Sequence, residues 1–133
     1  MLSTTARNTV CAGALAAAVG VGCGAFGSHA LRAIVDASHL HTWNTAVHYH
    51  LVHALALVMV GALMNAQPRS RLMLFAALAL GTGLVLFSGS LYALVLTDLR
   101  TLGVITPVGG VCFIAGWLSL AAGVCTRSPT PDP

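Results

Sequence analysis

Long apolar stretches separated by short polar breaks dominate the chain. The formally charged residues are six arginines and three aspartates, and they leave four charge-free windows at residues 8–31, 37–68, 72–97 and 101–126. A helix that crosses a bilayer needs about 20 predominantly apolar residues, so each window can hold one crossing helix and none comfortably holds two. The pattern therefore predicts an all-α membrane protein built as a bundle of four transmembrane helices.

The polar breaks also set the bounds of the helices. The NAQP sequence at 65–68 ends the second span, and Thr106 with Pro107 predicts the start of the fourth, because a threonine hydroxyl can cap a helix and proline is tolerated in its first turn. We expect residues 1–126 to form a single four-helix transmembrane domain and 127–133 to be a short disordered tail. The predicted spans are about 9–30, 43–64, 72–96 and 107–125.

Composition excludes several classes of function. Hydrophobic residues make up 57% of the chain and charged residues 7%, whereas a soluble domain is about one quarter charged. The net charge of +3 is small and scattered between the spans, which argues against a nucleic-acid partner. With three aspartates and no glutamate, a carboxylate pair for acid–base catalysis is nearly excluded. We therefore predict no catalytic residues and favour a non-enzymatic protein.

The N-terminal stretch has an alternative interpretation as a signal peptide. Arg7 precedes an apolar run that ends in the small residues Ser28 and Ala30, as at a cleavage site. The run is longer than the 7–15 apolar residues typical of a signal peptide, and its regularly spaced glycines resemble a packing surface. We therefore interpret it as the first span.

Arginine distribution predicts the orientation. If the N-terminus is cytoplasmic, that side of the membrane carries four arginines and the other side carries Arg32 and Arg100, each near an aspartate. Because basic residues are enriched on the cytoplasmic side, we expect both termini of this multi-pass protein to be inside. The four cytoplasmic arginines would be Arg7, Arg69, Arg71 and Arg127.

Polar side chains inside the spans gather in the half of the bilayer that this orientation makes the outer one. Lipid offers no hydrogen-bond partner, so we expect them to face the bundle interior as a polar seam. His53 should be neutral, with a partner on each ring nitrogen: a serine (Ser88 or Ser90 of the third span), a tyrosine hydroxyl, a main-chain carbonyl beside Gly89 or a trapped water. His48 and His50 should lie nearer water, so replacing them should change the stability little. The candidate seam comprises His29, Tyr49, His53, Ser88, Ser90, Tyr92 and Thr106.

Three interpretations of this seam remain open. It can serve only to fix helix packing through interhelical hydrogen bonds, or it can bind a small ligand or proton. Alternatively, His29 and His53 on facing helices could ligate a b-type haem. A metal site is not predicted, because the pair His50 and His53 lacks the further ligands that structural zinc needs. We therefore assign neither a cofactor nor a metal.

Small residues predict where helices pack closely. Glycines recur every seven residues in the first and the fourth span, and such faces let helix backbones approach each other in lipid. We expect these two spans to be neighbours with their glycines facing. The glycines are Gly13, Gly20, Gly27, Gly109, Gly116 and Gly123.

Four segments resemble a known family. GAFGSHAL at 24–31, Tyr49-xxx-His53 followed by ALAL, LFSGSLYAL at 86–94 and GVITPVGGVCFIAGWLSLA at 103–121 are similar to the DUF423 / UPF0382 family of small bacterial membrane proteins, whose animal relative is the transmembrane protein 256 type. The resemblance implies a four-helix inner-membrane protein and no particular reaction. It also favours His29 and His53 over the other histidines, which then read as interfacial residues.

These observations define the functional hypotheses. The first is a small membrane protein that binds a ligand in the seam or supports a partner complex. The alternative is a subunit of a small-solute or proton transporter or channel. This function would need an oligomer, because a single four-helix unit leaves little room for a conduction path. The predicted partners are the lipid bilayer and either further copies of the chain or another membrane protein.

Overall fold

Four long α-helices make up the protein, and no strand occurs among the residues that the structure describes. The structure is a computed structural model and describes residues 2–66 and 70–126, so the predicted tail at 127–133 lies outside the described residues. All four helices are long and apolar enough to cross a membrane. The predicted four-helix membrane fold is thus confirmed. The helices are α1 (Thr4–His29), α2 (Ala37–Met64), α3 (Arg71–Thr97) and α4 (Thr106–Cys125).

Polar side chains cap the first three helices. The hydroxyl of Ser3 accepts a hydrogen bond from the main-chain N–H of Ala6, and Ser70 caps α3 in the same way. Asp36 accepts from the main-chain N–H of His39. This aspartate starts α2 at Ala37, ahead of the apolar stretch that sequence predicted from residue 43, because a capped helix can begin before its apolar part.

The predicted cap of α4 is wrong. Thr106 is the first residue of the helix, and Ile105 occupies the cap position without a side-chain hydrogen bond. The Thr106 hydroxyl instead lies 2.8 Å from the hydroxyl of Ser90 on α3. A contact between helices has replaced the local one. Pro107 does sit in the first turn, as predicted.

The helices pack in the order of the chain: α1 against α2, α2 against α3, and α3 against α4. Short connections force this arrangement, because a short connection makes successive helices antiparallel neighbours. The connections at 30–36 and 98–105, each containing a 3₁₀ turn, share one end of the bundle, here termed the loop end. The N-terminus and the α2–α3 connection share the other end, here termed the terminal end.

Helix α1 contacts α2 through a glycine stripe. Its buried residues are Ala6, Gly13, Gly20 and Gly27, one every seven positions. A Cβ atom added to Gly13 would lie 2.7 Å from the main-chain nitrogen of Val58 on α2, so the two backbones are in direct contact there. Close backbone approach maximises van der Waals contact, which drives helix association where lipid removes the hydrophobic effect.

Helix α4 uses its own glycines against α3. A Cβ on Gly109 would collide with the main chain of Phe87, and one on Gly116 would lie 2.8 Å from the side chain of Leu80. A Cβ added to Gly123 would lie 3.1 Å from the Cε atom of Met73. The prediction that the first and fourth spans are neighbours is therefore wrong. Within the described residues α1 and α4 form no interface, and each glycine stripe packs on the helix next in sequence.

The glycine contacts predict that two substitutions in α1 will change the stability of the protein in different ways. Gly13→Ala should destabilise the protein by roughly 1–3 kcal/mol, because the added methyl group meets backbone that cannot move aside. Gly22→Ala is the matched control: nothing lies within 4 Å of its added Cβ, and alanine favours a helix over glycine by about 1 kcal/mol. The measurement is the free energy of unfolding in mixed micelles, followed by circular dichroism. Equal stability of the two variants would contradict the α1–α2 interface described here.

Candidate functional site

Two histidines of α2 are buried and point towards different helices. His50 is 5% exposed and His53 is 4% exposed. They are three positions apart, so their side chains leave the helix about 60° apart, since each residue advances 100°. His50 reaches α1 and α3, whereas His53 reaches α4.

His50 connects three helices. Its Nε2 lies 2.8 Å from the carbonyl oxygen of Ala16 on α1, and its Nδ1 lies 3.3 Å from the hydroxyl of Tyr92 on α3. A carbonyl can only accept, so Nε2 carries the proton, and in a neutral imidazole Nδ1 then accepts from the tyrosine O–H. A Cβ on Gly20 would come within 3.1 Å of the His50 ring, so this glycine provides the space for the imidazole.

His53 connects α2 to α4. Its Nδ1 lies 2.7 Å from the main-chain carbonyl oxygen of Tyr49, and the indole N–H of Trp117 donates to its Nε2 across 3.2 Å. Because an indole is a donor only, Nε2 must be the unprotonated nitrogen, and Nδ1–H donates to the carbonyl. The His53 ring also stacks on Phe113, with 3.4 Å between ring centroids. His53 is therefore neutral, and both ring nitrogens of each histidine are bonded.

Three hydroxyls make the remaining polar contacts between α3 and its neighbours. Ser88 is fully buried and donates to the carbonyl oxygen of Ala46 on α2 across 2.9 Å. Ser90 donates to the carbonyl oxygen of Phe87, so Thr106 of α4 must donate to Ser90. In the part of the chain that the structure describes, every buried side-chain nitrogen or oxygen has a partner.

The structure distributes the predicted seam residues over separate contacts. Tyr92 meets His50, Ser90 meets Thr106, and Ser88 meets the α2 backbone. A serine was one of the partners expected for His53, but neither Ser88 nor Ser90 bonds to it, because the Tyr49 carbonyl and Trp117 occupy the two ring nitrogens. Only Tyr49 and His53 line a common groove.

His29 does not join the other predicted residues. It is the last residue of α1 and is exposed at the loop end. Ligation of a haem by His29 and His53 would first have to break a hydrogen bond of His53. Among residues 2–66 and 70–126, no group of three histidine, cysteine or acidic side chains could hold a metal ion.

A groove of about 510 Å³ opens between α2 and α4, and His53 lies in its wall; we term it the His53 groove. Tyr49 is 40% exposed in this groove, with its ring centroid 4.5 Å from that of Phe87. Its hydroxyl makes no hydrogen bond to the described residues. The lining residues are Tyr49, Val52, His53, Phe87, Pro107, Gly110, Val111, Phe113, Ile114 and Trp117.

Sequence reasoning missed several of these contacts. It placed His50 near water, yet His50 is buried, and it did not identify Trp117 as the partner of His53.

The sequence analysis also overlooked His39, whose Nδ1 lies 2.9 Å from Asp36 and whose Nε2 lies 3.2 Å from Asp98 at the end of α3. Hydrogen bonds from the main-chain N–H and the ring of His39 lower the pKa of the Asp36 carboxyl. In the sequence, the only sign of the contact between Asp36 and His39 is the Asp-x-x-His spacing at a helix start, which resembles a capping box.

Comparison with known proteins gives matches over most of the chain. The family model described as "Protein of unknown function (DUF423)" matches residues 23–110. The UPF0382 membrane protein of Staphylococcus haemolyticus is 44% identical over 108 residues, covering 81% of this chain and 87% of the relative. UPF0382 membrane protein YwdK of Bacillus subtilis is 43% identical over 108 residues, covering 81% and 88%. No solved structure matches.

The two buried histidines should be costly to replace. His50→Leu removes the acceptor of the Tyr92 hydroxyl, and His53→Leu removes the acceptor of the Trp117 indole. Each should lower the free energy of unfolding by roughly 1–3 kcal/mol, because the donor left behind loses its protein partner and lipid cannot replace it. His48→Leu, at an exposed position of the same helix, is the control and should change little. If His50→Leu were as neutral as His48→Leu in micelle unfolding, the three-helix contact would be refuted.

Proposed function

Because the chain belongs to the DUF423 family, whose matching relatives are named UPF0382 membrane proteins, we propose that it is a non-enzymatic multi-pass protein of the bacterial plasma membrane that binds a lipophilic ligand in the His53 groove. The family description assigns no reaction. Support for a binding role comes from the groove itself, and one observation carries it: Tyr49 lines the groove, and its hydroxyl makes no hydrogen bond to the described residues.

The chemistry of the groove indicates a class of ligand. Four aromatic side chains and the His53 imidazole line it, and such surfaces favour a flat ring by stacking. His53 and Trp117 satisfy each other, which leaves the Tyr49 O–H as the side-chain donor available to a ligand. Hydrocarbon cannot accept that bond. The fitting ligand is a neutral, membrane-soluble molecule with a planar ring and a carbonyl oxygen, as in a quinone.

The plasma membrane is proposed on architectural grounds. Outer-membrane proteins are closed β-barrels, whereas this chain is four apolar helices. The arginine distribution supports cytoplasmic termini, which would place the His53 groove towards the outer half of the bilayer.

A transporter or channel subunit remains the second candidate, and the pairing of the buried polar groups bears on it. A polar path through one protomer would need buried groups free to bind a passing solute, but those of the described residues all have partners. Transport would therefore use a surface between copies of the chain. Light scattering of the purified protein in detergent would reveal such an oligomer.

Orientation can be tested with reporter fusions. A reporter after Pro133 should be active only in the cytoplasm, and one inserted beside Ala33 in the α1–α2 connection should be active only outside. The opposite pattern at both sites would overturn the orientation and leave the fold unaffected.

Ligand binding can be tested by titrating a short-chain ubiquinone analogue into the purified protein. Trp117 lines the groove, so in a Trp43→Phe background its fluorescence should fall saturably as the quinone binds. Tyr49→Phe should weaken binding about tenfold, the loss of one hydrogen bond of about 1.4 kcal/mol. Gly110→Leu should abolish binding by filling the groove.

The matched control is Gly89→Leu. Nothing lies within 4 Å of a Cβ added there, and Gly89 does not line the groove. This variant should bind as tightly as the parent. Quenching that rises linearly with quinone, and equally in all variants, would reflect partitioning into micelles and would reject the proposal.

A further inference from the structure

A second groove runs between α1 and α3 from the terminal end of the bundle. Its volume is about 660 Å³, and Leu57 of α2 contributes to its wall. No residue is shared with the His53 groove. The walls of this second groove include Thr4, Thr5 and Asn8 of α1 and Leu74, Gly81 and Leu86 of α3.

Polarity changes along this groove. At the terminal end α1 contributes three threonines and Asn8, whereas the wall formed by α3 is mainly leucine, alanine and valine. The α3 wall from Leu74 to Leu86 is about 18 Å long at 1.5 Å per residue. Half of the hydrocarbon core of a bilayer is about 15 Å thick. The groove therefore has the length of one acyl chain and a polar mouth at one end.

Two cationic side chains lie beside that mouth. Arg7 follows the lining residue Thr4 by three positions on α1, and Arg71 precedes the lining residue Leu74 by three positions on α3, so each is one helical turn from the groove. Both arginines are exposed. The two aspartates of the described residues, Asp36 and Asp98, lie at the loop end. The described part of the mouth is therefore cationic.

We propose that this groove binds an anionic phospholipid, with one acyl chain along α3 and the phosphate held by Arg7 and Arg71. The hydroxyl and amide groups at the mouth, those of Thr4, Thr5 and Asn8, would bind the glycerol and headgroup oxygens. The amphiphilic gradient and the positive mouth match a lipid that has an apolar chain and an anionic head.

The experiment is native mass spectrometry of the purified protein, titrated with dioleoyl phosphatidylglycerol or with dioleoyl phosphatidylcholine of the same chain length. One retained phosphatidylglycerol molecule is expected, in preference to phosphatidylcholine, and it should raise the melting temperature in detergent. Inorganic phosphate should not compete, because the acyl chain supplies much of the binding.

Two pairs of variants separate the chain from the headgroup. Gly81→Leu should abolish the adduct, because open space surrounds a Cβ added there and a leucine would fill the groove. Gly22→Leu, equally open but outside the groove, should retain it. The double variant Arg7→Gln/Arg71→Gln should weaken phosphatidylglycerol binding about thirtyfold, and Arg32→Gln/Arg100→Gln at the loop end should not.

Each contrary result overturns a defined part of the proposal. Retention of the adduct in Gly81→Leu would show that the lipid lies elsewhere. Equal binding of the two lipids, or an effect of the loop-end arginines as large as that of Arg7 and Arg71, would remove the charge recognition. Circular dichroism of each variant establishes that the loss does not come from unfolding.

Discussion

Lipid tails neither donate nor accept hydrogen bonds, and this constraint determines how the four helices are held together. Among the described residues, each buried side-chain nitrogen or oxygen has a hydrogen-bond partner within the protein instead. The His50 imidazole bridges α1 and α3, the Trp117 indole holds α4 to α2, and Ser88 holds α3 to the α2 backbone. The same contacts therefore satisfy the polar groups and choose the neighbours of each helix.

Several of these hydrogen bonds can form only because a glycine lies at the contact. His50 reaches the Ala16 carbonyl because Gly20 has no side chain in its path, and at the loop end the Trp43 indole lies against Gly27 and donates to the carbonyl oxygen of Cys23. A larger residue at either glycine would hold the helices apart and separate donor from acceptor. Close backbone approach and polar pairing are thus one structural requirement.

Charge spacing was sufficient to predict the fold. Nine charged residues delimit four apolar windows, and the ends of α3 and the end of α2 fall within about one residue of their predicted positions because polar breaks fix them. The partners of particular residues were not predictable in this way. A glycine stripe indicates that some helix comes close but does not say which one, and the stripe of Gly13 fits any facing helix. The position of His50 along α2 suggested that its side chain meets water. In the structure its partner is the Ala16 carbonyl of another span, and depth along a single helix cannot reveal such a contact.

Packing in chain order has a consequence for biogenesis. Each helix finds a major interface with a helix next to it in sequence, so α1 can pair with α2 before α3 has left the ribosome. Each helix therefore has a packing partner within its own hairpin as it inserts. The hydrogen bonds of Ser88, Tyr92 and Trp117 with α2 form when the second hairpin docks on the first. The contacts are local in sequence, a property associated with fast folding. The later hairpin, α3–α4, then has only the exposed face of α2 to join.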